Sequence, residues 1–180
     1  MQYSDNNSAW TAAATFSLDW TAAGLGRCLA FPVVAPSAGK YLNWRMQINS
    51  NAAMTTPSGV ECEMRETAGG ADITSTTPQY AIWSDHFQSG FEGFLVFDNN
   101  TGTMWAAGTP TPGNFVGQAF NKSVQIVEIR WTARNDSLYT QSPLTATMQG
   151  TNDGVTWVNA GTVTFSAWTG AGQSQTVSVV

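Results

Sequence analysis

Two stretches combine residue types able to hold a polyhydroxylated ligand. YAIWSDHFQSGF, residues 80–91, carries Trp83, Asp85, His86 and Phe87. TARNDSLYTQSP, residues 132–143, carries Arg134, Asn135, Asp136 and Tyr139. A sugar needs a flat apolar face for its C–H patches and fixed donors and acceptors for its hydroxyls, and each stretch offers both. These eight residues form the candidate glycan-binding set. Each aromatic among them has a plainer use, as a cover for the open end of a core, so the two stretches together weigh more than any single member. Catalysis is the weaker reading. His86 sits beside Asp85, but a nucleophilic triad also needs a serine held against the imidazole, and no G-x-S-x-G elbow occurs. Twelve scattered acids single out no carboxylate pair for glycoside hydrolysis. No catalytic residue is assigned, and the expectation is a protein that is not an enzyme.

Strands and turns must position these stretches. WRMQIN (44–49) places Trp44, Met46 and Ile48 on one face. VECEMR (60–65) sends Val60, Cys62 and Met64 inward and Glu61, Glu63 and Arg65 outward. NFVGQAF (114–120) reads as a short strand; SVQIVEIRW (123–131) alternates Val127, Ile129 and Trp131 against Glu128 and Arg130; LTATMQ (144–149) alternates Leu144, Ala146 and Met148. VTF (163–165) and TVSVV (176–180) close the chain. Period-two alternation with one polar face means antiparallel strands half exposed to water. Turn residues recur between them, and no segment after residue 40 has helical periodicity, so the fold class is all-β, an antiparallel sandwich or jelly roll. Two phrases share a plan. LVFDNNTGTMWAAG (95–108) and LTATMQGTNDGVTW (144–157) each read as a strand that ends in a polar turn, with a tryptophan after it. Asp153-Gly154 is a strong hairpin signal, and Trp105 and Trp157 are expected to re-enter the core and pin the two bends.

Residues 1–39 read differently and are expected to form an N-terminal arm or attachment segment ahead of a domain over 40–180. WTAA occurs at 10–13 and again at 20–23; this echo suits two strand–turn units or an arm, while Trp10, Ala14 and Leu18 also fit a helical face. APSAGK (35–40) has the Pro, Ser and Gly of a linker.

Bulk composition excludes several classes. Charged residues are 11% of the chain, against about 25% in an average globular protein, whereas aromatics reach 12% and include eight Trp, which opposes disorder. Seven basic residues against twelve acidic give a net charge of −5 with no basic cluster. Phosphate backbones and anionic membranes both need clustered positive charge, so neither is an expected partner. Cys28 and Cys62 form no CxxC pair and His86 is the single histidine, so a structural zinc site is not expected; both cysteines read as small buried apolar residues. The start lacks the basic and apolar regions of a signal peptide, and LAFPVVA (29–35) is too short to cross a bilayer.

From about Tyr41 to Val180 the chain resembles a discoidin domain, the coagulation-factor C-type or galactose-binding-like fold. Val96-Phe97-Asp98-Asn99 with Thr103 and Trp105 resembles one phrase of that family, Thr151-Asn152-Asp153-Gly154 with Trp157 resembles another, and NFVGQAF with SVQIVEIRW resembles the strand pair between them. WRMQINSN (44–51) and GVECEMRETAGGADIT (59–74) resemble strands that precede this unit in bacteriophage virion proteins. Asn99 stands where the family often has Gly, a substitution tolerable because Asn adopts left-handed geometry more readily than most residues. The resemblance implies ligand-binding loops at one end of the sandwich, and a calcium ion in the polar loop, with Asp98, Asn100 and Thr103 on matching positions. The C-terminal QSQTVSVV lacks the Glu the family often adds. A self-capped Asx turn at Asp98 is the competing account, leaving no cofactor, or calcium, as the expectation.

Together these point to a non-enzymatic bacteriophage virion protein, assembled in the host cytoplasm, whose discoidin-like domain attaches to host-surface glycans. Weak individual sites gain from repetition on a particle, so a homo-oligomer in contact with other virion proteins is expected, a trimer being one symmetry that fits. The alternative is a capsid or tail decoration protein that uses the fold only as a scaffold.

Overall fold

The computed structural model describes residues 2–3, 11–12, 39–53, 55–74, 82–84, 87–110 and 112–180. The chain divides into two compact units, Met1–Ala35 and Pro36–Val180. In the first, β1 (Gln2–Tyr3) pairs antiparallel with β2 (Thr11–Ala12), Gln2 opposite Ala12. The helical alternative over Trp10, Ala14 and Leu18 lies outside the described residues, as does Cys28.

The second unit is an antiparallel β-sandwich. It contains β3 (Tyr41–Asn51), β4 (Ser58–Gly59), β5 (Glu61–Arg65), β6 (Ile82–Ser84), β7 (Trp105–Ala106), β8 (Phe115–Val124), β9 (Glu128–Thr132), β10 (Pro143–Thr151), β11 (Val158–Thr164) and β12 (Ser174–Ser178). A five-stranded sheet runs β11-β10-β3-β8-β6, a three-stranded sheet runs β12-β9-β5, and β4 pairs with β7 in a short ladder. Strict alternation builds the core between them. Trp44, Met46, Ile48, Val116, Ala146 and Met148 come from the larger sheet, and Cys62, Met64, Ile129 and Trp131 from the smaller, all in one buried cluster. Cys62 is a free thiol inside that cluster, as its alternation predicts. Buried indoles still need partners for their N–H: Trp44 donates to the Val124 carbonyl at 3.0 Å and Trp168 to that of Pro143 at 2.7 Å.

Four expectations need correction. LVF (95–97) does not end a strand; Gly93–Val96 is a 3-10 turn that drops Val96 and Phe97 into the core. SVQIVEIRW is not one strand, because residues 125–127 break between β8 and β9; Ser123 and Val124 belong to the larger sheet, Glu128 onward to the smaller, and Ile126 is buried where Val127 is half-buried. The break lets one apolar run serve both layers. Trp105 is fully buried and meets Trp131 edge-on at 6.2 Å between ring centroids, as expected. Trp157, in contrast, is half-buried outside the core cluster, with the Arg45 guanidinium 4.2 Å from its ring centroid. Arg45 and the buried Trp44 point to opposite faces of β3, so the second indole packs on the water-facing side of the sheet. Finally, Glu61 does not face solvent; it is 5% exposed.

Candidate functional site

Residues 98–103 form a self-capped turn. Asp98 Oδ1 accepts the Asn100 N–H at 3.0 Å, and Asp98 Oδ2 accepts the Thr103 hydroxyl at 2.6 Å. Asn100 Oδ1 accepts the Gly102 N–H at 2.9 Å. Asn99 has φ 54°, the one non-glycine residue in the left-handed region among the described residues, so the Asn tolerance read from sequence is used here. The Asx-turn account of Asp98 is thus correct. Calcium takes six to eight oxygens, and Asp98, Asn100 and Thr103 spend much of their capacity inside the turn. Among the described residues no three His, Cys, Asp or Glu gather to hold a metal.

The 132–143 stretch meets this turn. Asn135 donates its amide to the Thr101 carbonyl at 2.6 Å. Arg134 grips Asp136 through two bonds, Nε to Oδ1 at 3.1 Å and Nη2 to Oδ2 at 2.6 Å, and reaches Gln141 Oε1 at 3.0 Å. The guanidinium beside Asp136 holds that carboxyl below the ordinary range, helped by the Leu138 N–H. Tyr139 starts a 3-10 turn, Tyr139–Gln141, and is half-buried with its ring packed on the core. Arg134 and Tyr139 therefore shape the loop, while Asn135 and Asp136 stay exposed.

The 80–91 stretch is not a simple loop. Trp83 lies in β6 opposite Gly117 of β8; its side chain, together with Asp85 and His86, lies outside the described residues. Phe87 is 47% exposed and bridges Ala107. Ala107 in turn donates to the Pro57 carbonyl at 2.9 Å, and Ser58 donates to Gln141 Oε1 at 2.9 Å. The β4–β7 ladder thus ties the Phe87 segment to the Arg134 loop.

The residues that sequence reasoning left aside lie beneath the 98–103 turn. Across the outer face of the smaller sheet, Glu61 sits opposite Thr132, which is itself opposite Ser174, Glu63 opposite Arg130, and Arg65 opposite Glu128. Arg130 and Arg65 both bind Glu63, the latter at 2.5 Å, and Arg65 binds Glu128 at 2.9 Å. Burial works against charge on Glu63, but these two arginines hold its carboxyl below the usual value. The Thr132 and Ser174 hydroxyls are 2.8 Å apart. At the Glu61 end the turn, the 135 loop and the sheet border an open cleft of about 360 Å³, lined by Glu61, Glu63, Asn99, Thr101, Arg130 and Asn135 among others. Neither Glu61 oxygen has a hydrogen-bond partner of good geometry. Burial, then the negative charges of Asp98, Asp72 and Glu63, push its carboxyl up to about 8 from 4.5, against a weak pull from the Cys62 N–H. Alternation alone put Glu61 with Glu63 and Arg65; nothing in the local sequence says that a turn some forty residues later covers it.

Compared with family models, curated proteins and solved structures, the chain matches none.

Proposed function

We propose that this protein is a non-enzymatic binding module of a bacteriophage virion, and that its loop end attaches to host-surface glycans. The observation that carries the reading is Phe87. A large aromatic ring is held half in water by a backbone bridge to Ala107, on a segment tied to the loop that displays Asn135 and the Arg134–Asp136 pair. Exposed rings beside fixed polar groups are what saccharide C–H faces and hydroxyls require. The phage and virion parts of the proposal are supported by the phrases resembling discoidin units of such proteins, and repetition on a particle would multiply weak contacts.

Binding of the purified protein to host envelope preparations and to a glycan array tests this. Phe87→Ala and Asp136→Ala are expected to weaken binding at least about tenfold with an unchanged melting temperature. No binding by the wild-type protein to any envelope preparation would overturn the proposal.

A second reading, a decoration protein with the fold as scaffold, is favoured by a different surface. Val155 is 81% and Val158 46% exposed at the β10–β11 hairpin beside the Arg45–Trp157 stack. Apolar tips of this kind suit a protein neighbour. Changing Val155 and Val158 to Ser would then abolish attachment to the particle and leave envelope binding intact.

A further inference from the structure

We propose that the cleft beside Glu61 of β5 is a docking site for an arginine side chain of a partner protein, with the Glu61 carboxylate pairing its guanidinium. The outer face of the smaller sheet is a ladder of opposite charges with one rung incomplete. Glu63 lies opposite Arg130 and Arg65 opposite Glu128, but Glu61 lies opposite the uncharged Thr132. Cross-strand pairs of opposite charge stabilise a sheet. On this face three carboxylates, of Glu61, Glu63 and Glu128, meet two guanidiniums, of Arg65 and Arg130. Both arginines are bonded to Glu63, and the Thr132 hydroxyl is bonded to that of Ser174. Glu61 is left 5% exposed, with its two oxygens shielded from water and without a hydrogen-bond partner of good geometry for either. Cys62 and Met64 point into the core, so Glu61 and Glu63 share the cleft side of β5. A change of rotamer carries the Glu61 carboxylate from the wall into that cleft, and an ionised carboxylate held there is costly unless a cation meets it.

The surroundings decide which cation. Asp98, Asp72 and Glu63 all act on Glu61 as negative charges, so the local field favours a positive guest over a neutral one, and the chain's net charge of −5 attracts a basic partner. A metal ion is short of ligands here. The oxygens of Asp98 are bonded within its own turn and those of Glu63 to the two arginines, whereas hard cations take at least about six oxygens. A guanidinium fits better. The two unpartnered oxygens of one carboxylate match its fork, and it is more weakly hydrated than an ammonium. Its remaining N–H groups would face a lining that includes Asn99, Thr101 and Asn135, which offer carboxamide and hydroxyl oxygens. This pairing does not depend on any glycan at the loop end.

The test is calorimetric titration of the capped peptide acetyl-Gly-Arg-Gly-amide into the full chain. Its citrulline counterpart, nearly the same shape without the charge, is the control. One arginine peptide per chain is expected, with a Kd of about 1 mM or tighter and the citrulline peptide at least about tenfold weaker. Affinity is expected to rise with pH up to about 8, because a proton must leave Glu61 before it pairs. Glu61→Gln has the shape of the protonated acid, so it is expected to melt at or above the wild-type temperature while binding the arginine peptide at least about tenfold more weakly. No heat from the wild-type chain at about 10 mM arginine peptide would overturn the proposal. Equal affinity for the citrulline peptide would overturn it too, as would wild-type affinity in the Glu61→Gln protein.

Discussion

At Asn99 one backbone torsion, φ 54°, lets the turn fold over Glu61, and the residue type anticipates it because Asn tolerates the left-handed region. Trp105 and Trp157 show how far such reading extends. Both follow a polar turn, yet one is sealed in the core against Trp131 and the other lies over Arg45. Trp105→Ala should therefore cost about 3–5 kcal/mol in equilibrium denaturation, whereas Trp157→Ala should cost about 1 kcal/mol or less, the value of one surface cation–π contact. Glu61 sets a pH dependence. The unfolded chain ionises it near 4.5, while the folded chain keeps its proton to about 8. The folded state binds more protons across that window, so stability should fall as pH rises from about 4.5 to about 8 and level off above it. Its share of the slope is at most about 1.4 kcal/mol per pH unit. Urea denaturation across that range should show Glu61→Gln without this share of the decline.

At the scale of elements, the period-two strands were legible wherever one face is apolar: β3 and β5 bury the residues their alternation predicts, and β10 buries Ala146 and Met148 while Leu144, beside a register shift, stays half-buried. The misreadings arose where the chain changes layers. Ser123–Trp131 alternates in two phases, Val124 and Ile126 and then Val127, Ile129 and Trp131; the chain must leave the larger sheet and enter the smaller, and a break at 125–127 accomplishes this. The β4–β7 ladder was illegible because two-residue strands carry no period. Its packing is nevertheless tight: a Cβ on Gly59 would fall 2.3 Å from the Trp131 ring. Gly59→Ala should thus destabilise by about 1–3 kcal/mol through overpacking, measured as a drop in the denaturation midpoint with an unchanged slope.

For the whole molecule, the buried cluster among the described residues lies in the Pro36–Val180 unit. A chain starting at Pro36 should melt in one cooperative transition by calorimetry. Absence of such a transition would show that residues 1–35 supply folding energy.

Sequence by itself determined the all-β class, the inward faces of β3 and β5 and the hairpin at Asp153-Gly154, because each follows from local periodicity or from torsions available to particular residue types; at Asp98 it offered two accounts, an Asx turn and a calcium loop. Tertiary structure alone decided which tryptophan is core, that the 123–131 run serves two sheets, and that Glu61 shares a cleft with Asn99, Thr101 and Asn135. Burial depends on which distant segment lies above a residue, and local alternation carries no record of that.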